Sequence, residues 1–317
     1  MPEQLPPATA AAATTARATA PGANGEIAPD LMTEYLTDGW GYFIRSSKVL
    51  ERFRSRFQNV EVHDSPAFGR LFRLDGHFMT SERDEFFYHE NLVHMAALSH
   101  VNPARALVIG GGDGGSAEEL LKYASMCSVT LCEIDEAVVD ISRRYLGAVH
   151  RGAFDDPRLH VYIGDGLKFV RDDRSQYDLI VLDLTDPGGP STPLYTAEFY
   201  RACTLRLADG GALTLHVASP IAHPDRIRES IADLHTAFAR VTPYLTSIPL
   251  YGGMWMMACA SQSLDPAALS ESEIDERIAV RAIGDLSCYN GAMHRAALAL
   301  PNFVRTLVAS PALGAKA

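Results

Sequence analysis

Five short runs of Val, Ile and Leu, each followed by a segment of helical pattern, constrain this chain more than any other feature. They are ALVIG (106–110), SVTLCEI (128–134), LHVYIG (159–164), DLIVLDL (178–184) and ALTLHVAS (212–219). Strands covered on both faces read as continuous apolar runs, and helices between them imply parallel crossovers. The pattern predicts an α/β fold, a doubly wound, Rossmann-like and mostly parallel sheet. Two later stretches, VTPYLTSIP (241–249) and GMWMMACAS (253–261), are expected to complete it at one edge, with helices over 265–305. With 47% apolar and 21% charged residues among 317, the chain can bury such a sheet.

Ahead of the sheet the pattern changes. From Trp40 to about Thr80, FQNVEVHDS and RLFRLDG alternate apolar and polar positions and are broken by Pro66, Gly69 and Gly76. This predicts a small antiparallel β unit at 31–80. Phe86, Phe87, Leu92, Val93 and Leu98 then recur at helical spacing behind Ser81, a candidate cap, and open the Rossmann-like domain at 81–317. Residues 1–30 are biased to Ala, Thr, Pro and Gly and lack the large apolar side chains that offset ordering entropy, so a flexible tail is expected there.

The charge balance, 28 Lys+Arg against 39 Asp+Glu for a formal −11, argues against nucleic acid as a partner, because gripping phosphates takes a concentrated cationic surface. A cationic small molecule fits better. The five cysteines are odd in number and form no C-x-x-C pair, so neither a disulfide framework nor a zinc knuckle is expected. A reducing, cytoplasmic setting follows. No run approaches the roughly 18 consecutive apolar residues of a membrane span.

Two motifs carry chemistry. The first, I109-G110-G111-G112-D113-G114-G115, lies between a buried strand and a helix, where glycines let a ligand approach a helix N-terminus. Glu133 ends the next strand about 20 residues on, where an acidic side chain takes ribose hydroxyls, and Asp165-Gly166 ends the third along the same edge. Asp113 puts a carboxylate where a pyrophosphate or a methionine carboxylate would otherwise lie, which favours a nucleoside with a free amine. The plainer alternative is an Asp capping the next helix. The second motif is D183-L184-T185-D186-P187-G188-G189-P190, after the fourth strand. Asp183 continues an apolar run to the ligand crevice, and a charge there needs a reason. Asp186 can face the same cavity or simply start a turn, as Asp-Pro does. His89 and His94 of HENLVH are five apart, which on a helix separates them by ~140°, so no shared metal is expected.

These residues resemble the polyamine aminopropyltransferases. The likeness rests on GGGDGG, CEIDEAVVD (132–140), GAFDDPR (152–158), IGDG (163–166), the Asp183–Pro190 loop and SERDEFFYHE (81–90). It runs from about Trp40 to Ser261, then more loosely through Cys288-Tyr289-Asn290 and His294 to about Leu307. The resemblance implies a methyltransferase-type fold and makes Gln58, Asp113, Glu133, Asp165, Gly166 and Pro190 contacts for decarboxylated S-adenosylmethionine. Tyr88, His89, Asp113, Asp183, Asp186 and Tyr251 would form the amine side, with Asp183 accepting a proton. The expected reaction moves an aminopropyl group onto putrescine, giving spermidine and 5'-methylthioadenosine, in a homodimer or homotetramer with no metal or other cofactor. The chain departs from the pattern at Leu184, where many relatives have Ser or Cys, and at Gly252-Gly253, where many have Pro-Ser-Gly. Leu184 is expected to point away from the site as a strand neighbour, while the glycines alter the acceptor pocket. Rival readings are the same chemistry on cadaverine, agmatine or spermidine, an S-adenosylmethionine-dependent methyltransferase, and a non-catalytic nucleoside binder.

Overall fold

A computed structural model describes residues 30–309. The tail expected at 1–30 lies, but for Asp30, outside the described residues. The chain opens with a hairpin, β1 (Asp30–Thr37) and β2 (Trp40–Ser46), followed by a four-stranded antiparallel sheet of β3 (Lys48–Arg54), β4 (Asn59–Ser65), β5 (Gly69–Leu74) and β6 (His77–Ser81). The sequence pattern showed one β unit and no strand before Trp40. In β1 only Met32 and Leu36 among the apolar residues are buried, while Leu31 and Tyr35 face outward, so no clean alternation marks it.

Helix α1 (Glu85–Ala97) leads into a seven-stranded sheet. Its strands are β7 (Arg105–Gly110), β8 (Ser128–Glu133), β9 (Leu159–Ile163), β10 (Tyr177–Asp183), β11 (Leu207–Ala218), β12 (Arg240–Ile248) and β13 (Gly253–Ser261). The spatial order is β12-β13-β11-β10-β7-β8-β9, with the five central-to-edge strands from β11 to β9 parallel and β13 and β12 antiparallel at the other edge. The intervening helices are α2 (Gly115–Leu121), α3 (Glu136–Tyr145), α4 (Gly147–His150), α5 (Gly166–Asp172), α6 (Ala197–Thr204) and α7 (Pro224–His235), and α8 (Glu271–Val280), α9 (Gly291–Leu298) and α10 (Asn302–Val308) close the described chain.

The apolar runs behave as doubly covered strands should. Along β7, Ala106 and Val108 enter one core, while Leu107 and Ile109 enter the other. Along β10, Leu179 and Val181 split from Ile180 and Leu182 in the same way. Every one of these side chains is at most 1% exposed, which explains why alternation with polar residues is missing from the sequence. The N-terminal sheet packs Val60, Val62, Phe72 and Leu74 against Val138 and Ile141 of α3, Leu146 at the junction and Val149 of α4, and so overhangs the carboxyl edge of the large sheet. Ser81 does not cap α1: Asp84 stands at the N-cap, and the Ser81 hydroxyl donates to its carboxylate. Among the described residues no helix is long and apolar enough to cross a membrane, and all five cysteines are free.

Candidate active site

The chain winds from β7 outward through β8 and β9, then returns to start β10 on the other side of β7. The gap between β7 and β10 is therefore the switch point where open α/β sheets bind ligands. Both sequence motifs end there, with Gly110 opposite Asp183 in register. Gly110 has φ +79°, and a Cβ on it would fall 2.1 Å from the Asp183 carbonyl oxygen, so only glycine lets the loop come this close. The Gly111 N–H donates to that same oxygen at 2.8 Å.

The carboxylates of the two motifs share one imidazole. His89 Nε2 is 3.4 Å from Asp113 Oδ2 and 4.0 Å from Asp183 Oδ2, while its Nδ1 is 2.8 Å from Glu85 Oε2. Burial alone would discharge His89, but Asp113 and Glu85 outweigh it and raise its pKa well above the usual value. The two aspartates are then driven apart. Burial works against Asp113, yet the His89 charge prevails and lowers its pKa. Burial and the Asp113 charge raise the pKa of Asp183, against opposing bonds from Ser116 (Oγ to Oδ2, 2.7 Å) and Tyr88. Two neighbouring carboxyls with opposite shifts have separable roles: Asp113 keeps a fixed charge and Asp183 is suited to take up a proton. The Asp113 side chain also accepts from Gly115 N at 3.0 Å, so the capping reading holds alongside the ligand-facing one.

Two adjoining cavities open on this cluster. The first, about 150 Å³, is lined by Gln58, Glu133, Asp165, Gly166 and Pro190, together with Tyr88, Asp113, Asp183 and Tyr251. Every residue that the resemblance assigned to the nucleoside thus meets in one cavity. Burial, with partial relief from the Asp135 and Ile134 N–H groups, pushes Glu133 up to about 7. Asp165 caps α5 through bonds from Leu167 N and Lys168 N. The second cavity, about 290 Å³, shares Gln58, Leu184, Thr185, Pro190 and Tyr251 with the first and extends past Asp186 to Glu34, His77, His223, Arg226 and Trp255.

Two expectations change. His89 lines neither cavity; at 1% side-chain exposure it stands behind the carboxylates and sets their charge. Leu184 does not point away, because β10 ends at Asp183 and strand alternation ends with it; its side chain lines both cavities. Asp186 does line the second cavity, where its carboxylate is paired. His216 Nε2 lies 3.2 Å from Oδ1 and Arg226 donates to Oδ2 at 2.8 Å, and against burial these partners hold its pKa at about 2.

Sequence reading missed His216, Tyr195, Arg226 and Glu34. His216 bonds the Tyr88 hydroxyl through Nδ1 at 3.0 Å and Tyr195 through Nε2 at 3.0 Å, linking Asp183's neighbour to Asp186. It was findable, since a titratable residue near the end of the apolar run ALTLHVAS poses the same question as Asp183. The pair His89 and His94 is separated as expected: His94 bonds Glu119 and Tyr123 instead.

A crevice at the switch point of an open α/β sheet, lined by Asp113, Glu133 and Asp183, is the kind of small-molecule site that enzymes of this architecture use. Residues 85–270 match the family model described as the spermine/spermidine synthase domain, and residues 31–82 the one described as the spermidine synthase tetramerisation domain. The polyamine aminopropyltransferase of Nitrosomonas europaea is 48% identical over 92% of this chain and 90% of its own length. That of Moorella thermoacetica is 38% identical over 88% and 96%. A crystal structure of spermidine synthase in complex with the transition state analogue AdoDATO has a TM-score of 0.83 and 35% identity, covering 88% of this chain and 96% of that one. Spermidine synthase from Thermotoga maritima gives 0.80 and 33%, covering 88% and 95%. The chain belongs to the polyamine aminopropyltransferase family and is an aminopropyltransferase.

Proposed function

We propose that the enzyme moves the aminopropyl group of decarboxylated S-adenosylmethionine onto putrescine, giving spermidine and 5'-methylthioadenosine. The observation that carries this reading is the Asp113–His89–Asp183 cluster, one fixed and one proton-accepting carboxylate on a single nucleoside cavity. The amine nitrogen's lone pair attacks the carbon beside the sulfonium, and the C–S bonding pair leaves with the sulfur as a neutral thioether. The nitrogen's proton passes to Asp183. The sulfonium is already a good leaving group, so the barrier sits on the nucleophile. An alkyl amine with a pKa of ~10.4 is about 3 units above neutral pH, worth roughly 4 to 5 kcal/mol. A base whose own pKa is raised lowers that deficit.

In this reading Glu133 takes the ribose hydroxyls, Asp113 holds the donor's aminopropyl ammonium, and Gln58, Asp165, Gly166 and Pro190 wall the nucleoside. Tyr88 and Tyr251 flank the attacking amine. No further cofactor is invoked, since the donor supplies its own leaving group. A methyltransferase would have to bring an intact methionine carboxylate against Asp113 and Asp183, which disfavours it. The match over residues 31–82 supports a homo-oligomer assembled through the N-terminal β unit.

The test is methylthioadenosine release, crossing decarboxylated against intact S-adenosylmethionine with putrescine, cadaverine, agmatine and spermidine. Release only from the decarboxylated donor, and fastest with putrescine, is expected. Release without the decarboxylated donor, or a faster rate with another amine, overturns the donor or the acceptor assignment respectively.

A further inference from the structure

Resting on the proposed transfer, we propose that Arg226 is a specificity-determining residue, a fixed positive charge in the acceptor cavity that turns away amines bearing a third ammonium group. The residue sits where a polyamine synthase has least use for a cation. Among the described residues lining the second cavity, Arg226 is the one Lys or Arg. The other charged or titratable groups there are Glu34, Asp75 and Asp186, with His77, His216 and His223. The helix gives no reason for it either, because Arg226 is in the first turn of α7, where the helix dipole disfavours positive charge.

Its position decides what the cavity can hold. The guanidinium takes Asp186 Oδ2 at 2.8 Å while His216 faces Oδ1 at 3.2 Å, so each oxygen of this carboxylate already has one cationic or imidazole partner. Across the cavity, Glu34 is anchored by the Phe78 N–H at 2.8 Å and faces His77 at 3.2 Å. A diamine placing one amine beside Asp183 brings a single ammonium into this space, which Glu34 and Asp186 can balance. A triamine brings two, and the second meets the guanidinium. Specificity built this way comes from repulsion of the wrong ligand rather than from added attraction to the right one. The arrangement also predicts something a mere latch between the Asp183–Pro190 loop and α7 does not: the effect depends on the acceptor's charge.

The experiment compares putrescine and spermidine as acceptors, at saturating decarboxylated S-adenosylmethionine, for the wild type, Arg226→Leu and Arg226→Lys. Arg226→Leu is expected to raise the spermidine-to-putrescine ratio of kcat/KM about tenfold, through a lower spermidine KM. Arg226→Lys keeps the charge and is expected to stay near the wild-type ratio. Calorimetric affinities of both amines for the protein–methylthioadenosine complex give the same comparison without turnover. An unchanged ratio in Arg226→Leu, or an equal loss for both amines, overturns the proposal and leaves Arg226 as a loop latch. Wild-type protein that binds both amines but transfers to neither fails the transfer reading, while the binding ratio still decides the role of Arg226.

Discussion

Asp183 and Glu133 are both buried carboxyls with raised pKa, and in the proposed reaction both work only when ionised, one in turnover and the other in nucleoside binding. As the proposed proton acceptor Asp183 has to be ionised, so turnover is expected to fall as pH drops through its raised pKa, above the pH at which an ordinary carboxylate near ~3.9 would titrate. The amine must shed its own proton as well, so both groups make the rate rise with pH. Asp183→Asn should cut kcat by about 10²- to 10⁴-fold with little change in nucleoside affinity, read by steady-state kinetics beside product binding. Unimpaired turnover in that variant would move the base elsewhere. Glu133, pushed up to about 7 by burial, has to be charged to accept bonds from the ribose hydroxyls in the proposed reading. Methylthioadenosine should therefore bind progressively more weakly below pH 7, approaching tenfold per unit, and Glu133→Gln should abolish that slope. Calorimetry at pH 5.5 and 8 distinguishes the two cases.

At the level of elements, the turn after β12 shows how a short sequence change becomes a pocket wall. Tyr251 precedes Gly252, whose φ is +77° and whose added Cβ would fall 2.9 Å from the Tyr42 ring. The Tyr42 hydroxyl donates to Leu250 O at 2.6 Å, and Tyr251 donates to Met79 O at 2.6 Å. The N-terminal hairpin thus pins the acceptor-side tyrosine through a turn that accepts glycine and strains anything else. Gly252→Ala should lower stability by about 1–3 kcal/mol and raise the KM for the amine more than that for the nucleoside, measured by thermal melting and two-substrate kinetics. Equal shifts in both KM values would mean that the turn only supports the fold.

The same scale explains what could be read from the chain alone. Buried strands announce themselves as apolar runs, and a charge closing one, as Asp183 does, stands out against its own neighbours. Leu184 escapes a reading by alternation, because alternation is a property of a strand and the strand stops one residue earlier. Arg226 was invisible for a different reason: it meets Asp186 across 40 positions, and its helix carries no local pattern that points to a cavity. The resemblance puts His89 beside Tyr88 on the amine side, but successive residues on a helix face different ways, and of the two only Tyr88 reaches the cavity.

Across the whole molecule, the hairpin of β1 and β2 connects the reaction centre to assembly. Its pairing puts Met32 opposite Ile44 and Glu34 opposite Tyr42 on one face, and Leu31 opposite Arg45 and Thr33 opposite Phe43 on the other. The first face turns inward, bringing Glu34 to the second cavity and Tyr42 to the Tyr251 turn. The second leaves Leu31 and Phe43 53% and 59% exposed on a two-stranded ribbon, which is a marginal structure by itself. Apolar side chains gathered on such a ribbon, within the segment matched to a tetramerisation domain, are what a second copy would cover. Phe43→Glu should then lower the mass measured by light scattering to that of a smaller species. Because the two faces belong to one ribbon, it should also raise the amine KM by about threefold or more while sparing the nucleoside KM. A variant that keeps the wild-type mass would place the interface on another surface. One that dissociates with both KM values intact would show that the ribbon holds Glu34 and Tyr42 in place without help from a partner.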